Sequence, residues 1–178
     1  MNILDTSRPE TSPGEIVTIY RDAMSPALAG EIASTAFSLL RGGGCNVHRR
    51  TNRGFTAFPI QPIESSIPIL NRMAAQLLTA PLPRSTMRIN LQEGGGRQGW
   101  HQDYILEPLV VYPVGKGYLD LAPFATDLRE ARASQEEDQV VSIPVSAGDV
   151  AVVHRGGEIF HRGRNGSEDE PRVTIVLH

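Results

Sequence analysis

His101 and Asp103 stand two residues apart, and a second histidine, His161, follows later in the chain. Two imidazoles and one carboxylate form the 2-His-1-carboxylate ligand set. That set holds non-haem Fe(II) on one face of an octahedron and leaves the remaining positions open to a chelating substrate and O2. In an extended strand, residues two apart point to the same side. A strand over 100–104 would therefore aim His101 and Asp103 at one metal and turn Gln102 away. The His-x-Asp motif is short, and taken alone it reads as ordinary polar strand residues. His154 lies in the same region as His161. His161 ranks first because Asp149 to His154 reads as a strand preceding the ligand turn at Gly156-Gly157. His48 and His178 read as loop and terminal histidines.

Arg172 lies eleven residues beyond His161 and opens the run Arg172-Val173-Thr174. Arg172 and Thr174 share a face by strand alternation. A guanidinium fork beside a hydroxyl suits a terminal carboxylate held in two-point contact. Alone, Arg172 is better read as an ion-pair partner of Glu168, Asp169 or Glu170. With the triad, it reads as the anchor of a carboxylate-bearing co-substrate.

The elements that must carry these residues change character along the chain. Residues 1–14 read as a loose tail, and Glu15 to Tyr20 as a β-branched, aromatic strand. Ser25-Pro26 opens a helix, with Ser25 as N-cap and Pro26 at its first position. Its buried face is marked by Leu28, Ile32, Ala36 and Leu39-Leu40, and Gly42-Gly43-Gly44 ends it. Residues 45–54 read as a polar segment and Gly54 to Ile60 as a strand. Ser66 to Thr79 reads as a second helix with Leu70, Met73, Ala74 and Leu77 inward, stopped by Pro81 and Pro83. From Ser85 onward short strands dominate: 86–91, 100–104, 109–114, 117–121, 140–145, 149–154, 159–161 and 173–177. Phe124 to Asp138 reads as a short helix or an acidic loop. Many short strands between Gly, Pro and Asp turns indicate a sandwich, barrel or jelly roll. The expected architecture is mainly β with flanking helices (α+β). A single domain over 1–178 has a helical support region at 15–84 and a β-core with the metal site at 85–178.

Composition bounds the function. The chain has 178 residues, 40% of them hydrophobic and 21% charged, as in a globular domain. A formal net charge of -3 and the lack of a basic, aromatic-interleaved strip count against a nucleic-acid partner. No apolar run approaches the length of a membrane span. The single cysteine, Cys45, cannot form an internal disulfide, which makes a reducing cytoplasm the simplest compartment. Around the triad, Trp100 and Tyr104 are candidates to line a substrate pocket. Arg49 and Arg53, in Arg49-Arg50-Thr51-Asn52-Arg53, are candidates to meet an anionic small molecule.

Taken together, the motifs resemble a known family. Trp100-His101-Gln102-Asp103, Ala147-Gly148-Asp149-Val150, His161-Arg162-Gly163-Arg164-Asn165-Gly166-Ser167 and Pro171-Arg172-Val173 resemble the Fe(II)/2-oxoglutarate-dependent dioxygenases, closest to the phytanoyl-CoA dioxygenase-like branch. The resemblance covers roughly residues 85–178. It implies a double-stranded β-helix (cupin-like jelly roll), with His101, Asp103 and His161 as iron ligands. It places Arg172 and Thr174 at the distal carboxylate of 2-oxoglutarate, with Asn90 and Gln92 as polar neighbours. The implied reaction hydroxylates a small molecule of amino acid or carboxylic acid type with Fe(II), 2-oxoglutarate and O2, releasing succinate and CO2. Related halogenases lack the carboxylate ligand, so Asp103 favours hydroxylation. Tyr118 to Pro123 replaces the branch's usual segment between the histidines, and a CoA thioester substrate is not expected. The alternatives are a cupin-like metalloenzyme that does not use 2-oxoglutarate and a metal-free jelly-roll binding module.

Overall fold

The computed structural model describes residues 3–12, 15–51, 53–62, 67–78, 87–103, 107–134 and 139–177. These residues form two antiparallel sheets. The larger carries, in spatial order, β1 (Pro9–Thr11), β2 (Val17–Tyr20), β9 (Val150–Val153), β6 (Leu109–Val114), β11 (Arg172–Leu177), β5 (Met87–Gln92), β4 (Gly54–Pro59) and β3 (Cys45–Thr51). The smaller runs β10 (Phe160–Asn165), β7 (Lys116–Ala122), β8 (Val141–Ser146). Three helices, α1 (Pro26–Arg41), α2 (Pro68–Leu77) and α3 (Leu128–Ser134), complete the described residues.

Alternation along the central strands explains the layering. Leu109 and Val111 of β6, Ile89 of β5 and Val173, Ile175 and Leu177 of β11 pack on one side with Ile32 of α1 and Leu70 and Met73 of α2. The opposite residues, Val110, Tyr112 and Val176, pack with Leu119 and Leu121 of β7 to fill the space between the sheets. Fully burying such aliphatic side chains stabilises the fold by about 1.5–3 kcal/mol each. The same alternation turns Arg88, Asn90 and Gln92 of β5, and Arg172 and Thr174 of β11, toward the inter-sheet space. The sandwich interior is therefore apolar at one end and polar at the other.

Ser25 caps α1, its Oγ accepting the Leu28 N–H at 3.2 Å, and Pro26 stands in the first turn. The buried face is Ala29, Ile32, Ala33 and Ala36, while Leu28, Leu39 and Leu40 are half-buried at its edge. Gly43, at φ 71°, makes the left-handed exit that glycine tolerates. In α2, Leu70, Met73 and Ala74 are buried as expected; Ser66 and Thr79 lie outside the described residues.

Four expectations need correction. The described part of the tail, 3–12, is not loose: Leu4 is buried, Gln76 Oε1 accepts the Ile3 and Leu4 N–H groups, and β1 pairs with β2. Residues 15–84 are not a purely helical support, because β2, β3 and β4 extend the larger sheet. The polar segment 45–54 contains β3, an edge strand in which Cys45 is half-buried and Asn46, Val47 and His48 are exposed, so no buried face marks it in the sequence. Residues 100–103 do not form a strand. His101 makes an isolated bridge to His161, and Tyr104 lies outside the described residues.

Candidate metal centre

The bridge sets the geometry. His101 N–H donates to His161 O at 3.0 Å and His161 N–H to His101 O at 2.9 Å, which places the rings together with centroids 4.6 Å apart. Asp103 N–H donates to Gly156 O at 2.8 Å, bending the chain so that its carboxylate turns back toward both imidazoles. His161 Nε2 lies 2.9 Å from Asp103 Oδ2, and His101 Nε2 lies 3.9 Å from Oδ1. One ligand atom from each residue falls within 4.8 Å of the others.

Both imidazoles are oriented by the backbone. His101 Nδ1–H donates to Gly99 O at 2.9 Å, and His161 Nδ1–H donates to Ile159 O at 3.0 Å. With Nδ1 donating to a backbone carbonyl, each Nε2 is turned toward the Asp103 carboxylate, the orientation found around metal-binding histidines. Burial, then the charges of His161 and Arg88, lower the His101 pKa to about 3, so His101 is neutral near pH 7. Burial works to raise Asp103, but the His161 hydrogen bond and the His161, Arg88 and His101 charges outweigh it, holding Asp103 ionised. Two imidazole nitrogens and one carboxylate oxygen are a donor set suited to a divalent first-row metal. Arg88 Nη2 also reaches Asp103 Oδ1 at 3.3 Å. Arg88 was not a candidate in the sequence, although it shares a face of β5 with Asn90 and Gln92.

Arg172 is 2% exposed. Its Nη1 donates to Gln92 Oε1 at 2.9 Å and to Arg164 O at 3.3 Å, and the guanidinium lies 5.2 Å from the centre of the Tyr112 ring. Among the described residues it has no carboxylate within ion-pair distance, and its buried Nε makes no hydrogen bond. The Tyr112 hydroxyl beside it is also buried without a hydrogen bond of good geometry. Burial lowers the Arg172 pKa below its ordinary value and raises Tyr112 to about 12. Room for the guanidinium is made by glycine: a Cβ on Gly163 would stand 2.9 Å from both Arg172 Nη1 and Gln98 Oε1. A buried cation with neutral hydrogen-bond partners and an unsatisfied Nε is the complement of an anionic oxygen ligand.

The remaining candidates divide. Gln92 and Thr174 stand by Arg172, and Asn90 Nδ2 donates to Thr174 Oγ1 at 3.4 Å, all of them buried. Trp100 lines a cleft beside the triad, and Arg162 stacks over it at 4.3 Å. Arg53 is turned elsewhere, donating to Gly94 O at 3.2 Å and lying 3.7 Å from Glu168. Arg49 pairs with Phe55 through its backbone, and its side chain lies outside the described structure. His154 is not at the centre; its Nε2 meets Thr18 Oγ1 at 2.9 Å and its Nδ1 meets Glu107 at 3.3 Å. Asp120, unremarked in the sequence, is 1% exposed and accepts hydrogen bonds from Arg162, Arg164 and Ser142. Only strand pairing, Arg162 opposite Asp120, reveals this cluster.

A narrow cleft of about 20 Å³ runs from the triad to Arg172 and Thr174, past Gln98 and Tyr112. It shares Arg88, Gln98 and His101 with a wider mouth of about 390 Å³, which Phe55, Leu91, Arg97 and Trp100 also line. The narrow part holds about one water. A keto-acid there requires side chains of the cleft to yield.

No family profile matches this chain, and no curated protein does. Solved structures do. SnoN, a non-haem alpha-ketoglutarate-dependent epimerase from nogalamycin biosynthesis, superposes with a TM-score of 0.68 at 18% identity, covering 91% of this chain and 76% of that one. SnoK, a carbocyclase from the same biosynthesis, gives 0.68 at 14%, covering 91% and 78%. EctD from S. alaskensis, solved with 2-oxoglutarate and 5-hydroxyectoine, gives 0.62 at 16%, covering 91% and 71%. At these identities the likeness is one of fold: the chain has the mainly β, cupin-like jelly-roll architecture of these proteins, with helices packed on the larger sheet.

Proposed function

We propose that the protein is an Fe(II)- and 2-oxoglutarate-dependent oxygenase that hydroxylates a small molecule. The observation that carries this reading is the convergence of His101 Nε2, His161 Nε2 and the Asp103 carboxylate within 4.8 Å, with both Nδ1 atoms tied to backbone carbonyls. Arg172, buried with an unsatisfied Nε, stands along the cleft from that centre as the anchor for a carboxylate. His101, Asp103 and His161 would hold the metal; Arg172, Thr174 and Gln92 would hold 2-oxoglutarate. When bound, these groups supply oxidation of a C–H bond by O2, one oxygen atom passing to succinate as CO2 leaves and the other to the substrate. The chain's own residues orient both imidazoles through backbone carbonyls, keep His101 neutral, hold the Asp103 carboxylate ionised, and place the centre between two sheets.

The fold does not fix the outcome, since SnoN is an epimerase and SnoK a carbocyclase. Asp103 in the carboxylate position supports hydroxylation. A reducing cytoplasm suits a chain whose one cysteine, Cys45, is a free thiol. The net charge of -3 supports a small-molecule substrate over nucleic acid.

The test is succinate release from 2-oxoglutarate in the presence of Fe(II) and ascorbate, screened against a panel of small acids. Substrate-stimulated succinate, lost in His101→Ala and Asp103→Ala, is expected. Failure of the protein to bind Fe(II) would sink the proposal. A second reading, a metalloenzyme that does not use 2-oxoglutarate, is favoured by the narrowness of the cleft and by the Gln92–Arg172 hydrogen bond already made there. The two readings part at Arg172.

A further inference from the structure

The wide mouth of the cleft has a marked charge bias. Its described lining includes Arg88, Arg97 and His101 but no Asp or Glu, in a chain with 20 acidic residues. Arg88 is engaged with Asp103. Arg97 is different: its exposed guanidinium has no hydrogen-bond or ion-pair partner among the described residues. Its backbone is fixed, however, because Arg97 bridges Arg164 of β10 and Gln98 N–H donates to Gly163 O at 2.9 Å. The rim thus presents a positioned cation on a held backbone. The positive charges of Arg97 and Arg164 are both felt at Arg162, so an anion at the rim would relieve repulsion among these guanidinium groups. The rest of the wall mixes neutral polar side chains, Thr56, Asn90, Gln92 and Gln98, with an apolar part: Phe55 and Leu91 are half-buried, and Trp100 forms the side next to His101.

We infer that Arg97 binds the acidic group of the substrate, and that the substrate is an organic acid with an apolar body lying against Phe55, Leu91 and Trp100. The volume of about 390 Å³ is that of a small-molecule site. The oxygenase reading is needed only for the chemistry after binding, not for binding itself.

The test uses the single tryptophan. Trp100 is the only one in the chain and lines the mouth, so its fluorescence reports occupancy without metal or 2-oxoglutarate. The probes are 4-phenylbutanoate, 3-phenylpropylphosphonate, 4-phenylbutanamide and 4-phenylbutylamine. The carboxylate is expected to bind about tenfold tighter than the amide, as for a charge-assisted contact in a partly enclosed site, with the amine weakest. Tighter phosphonate than carboxylate binding would assign the acid class to phosphonates and phosphates. Arg97→Gln should erase the preference for acid over amide, and Arg97→Lys should keep part of it. Arg97 is exposed, so both variants should fold. Equal binding of acid and amide by the native protein would overturn the inference. So would loss of the preference in Arg172→Met with its retention in Arg97→Gln, since the acid would then sit at the deep arginine. Because the titration is metal-free, absence of iron binding in a separate experiment would remove the oxygenase reading and leave this result standing.

Discussion

Replacing Arg172 with Met separates the two readings of the centre, because stability and ligand binding should move in different directions. A buried cation is stabilising only when its desolvation is offset by partners. Arg172 is 2% exposed, its partners are the neutral Gln92 Oε1 and Arg164 O, and no described carboxylate reaches it. Burial also lowers its pKa, the same imbalance expressed in its protonation equilibrium. Met fills most of the aliphatic volume and removes the charge. Gln92 keeps its position through Nε2, which donates to Gly163 O at 2.9 Å. Arg172→Met should therefore leave the ligand-free protein as stable as before, or more stable by about 1–2 kcal/mol, in line with other buried charges replaced by apolar residues.

Ligand binding should fall. Losing hydrogen bonds to a charged group costs about 1.5–3 kcal/mol, roughly a 10- to 150-fold weaker 2-oxoglutarate complex. Thermal unfolding in Mn(II), with and without 2-oxoglutarate, reads both effects in one titration. At 100 times the dissociation constant a ligand stabilises the native state by about 2.7 kcal/mol, roughly 5–11 °C for a domain of this size. The native protein should show that increment and Arg172→Met should show little of it at the same concentration. A variant stabilised by 2-oxoglutarate as strongly as the native protein would refute the co-substrate assignment. A metal-loaded variant that unfolds about 3 kcal/mol more easily without ligand would show that Arg172 is structural.

Asp120→Asn should destabilise the protein by about 3–5 kcal/mol, because it removes the carboxylate from Arg162 and Arg164 in a buried network. Arg162 follows His161 and stacks on Trp100, which precedes His101, so the same variant should weaken Mn(II) binding about tenfold by calorimetry. Burial opposes and its hydrogen bonds from Arg164, Ser142 and Arg162 outweigh, so the Asp120 pKa is lowered from 3.8. A depressed carboxylate stabilises above its unfolded pKa, and that contribution is lost as pH falls through the folded value. The stability gap between native and Asp120→Asn proteins should thus be constant above about pH 5 and shrink below 3.8 in acid titrations followed by circular dichroism. Tyr112→Phe removes a buried hydroxyl without a well-formed hydrogen bond, so urea unfolding should show no loss of stability, while 2-oxoglutarate affinity drops about fivefold. Gly163→Ala puts a methyl 2.9 Å from Arg172 Nη1 and should lower succinate turnover about ten- to hundredfold by displacing the guanidinium.

Legibility in the sequence tracks the range of each interaction. Short apolar, β-branched or aromatic runs between Gly, Pro and Asp turns located β6, β7, β9 and β11 within a residue or two, and strand alternation put Arg172 and Thr174 on one face. Capping chemistry located the start of α1. His101 and Asp103 were expected to meet because a strand would align them. They meet instead because His101 is bridged to His161 and Asp103 N–H is held by Gly156 O. The ligand set was readable from residue types, and its cause was not, because that cause is two long-range backbone contacts. Asp120 was hidden for the same reason: nothing local distinguishes it from an exposed strand carboxylate until β7 lies beside β10.

Pro113 shows how a local oddity becomes a feature of the site. A proline within a central strand cannot donate to the ladder and is found at bulges. β6 is central, between β9 and β11, and its register against β11 shifts between Val173 and Ile175, whose partners are Val114 and Val111. Two residues, Tyr112 and Pro113, therefore lie opposite the single Thr174. A bulge re-aims the side chains beside it. Here Tyr112 is the residue re-aimed, its backbone held by Asp149 O and Gly148 N at 3.1 and 2.9 Å while its ring lies under the Arg172 guanidinium. The irregularity in the ladder falls at the end of the sandwich where the buried cation lacks an anion, and the regular pairing of Arg172 with Gln92 and Thr174 with Asn90 on the other side of β11 holds the second wall. A strand bulged on one flank and regular on the other places an aromatic face and a polar amide around one guanidinium, an asymmetry that a straight β6 would not provide.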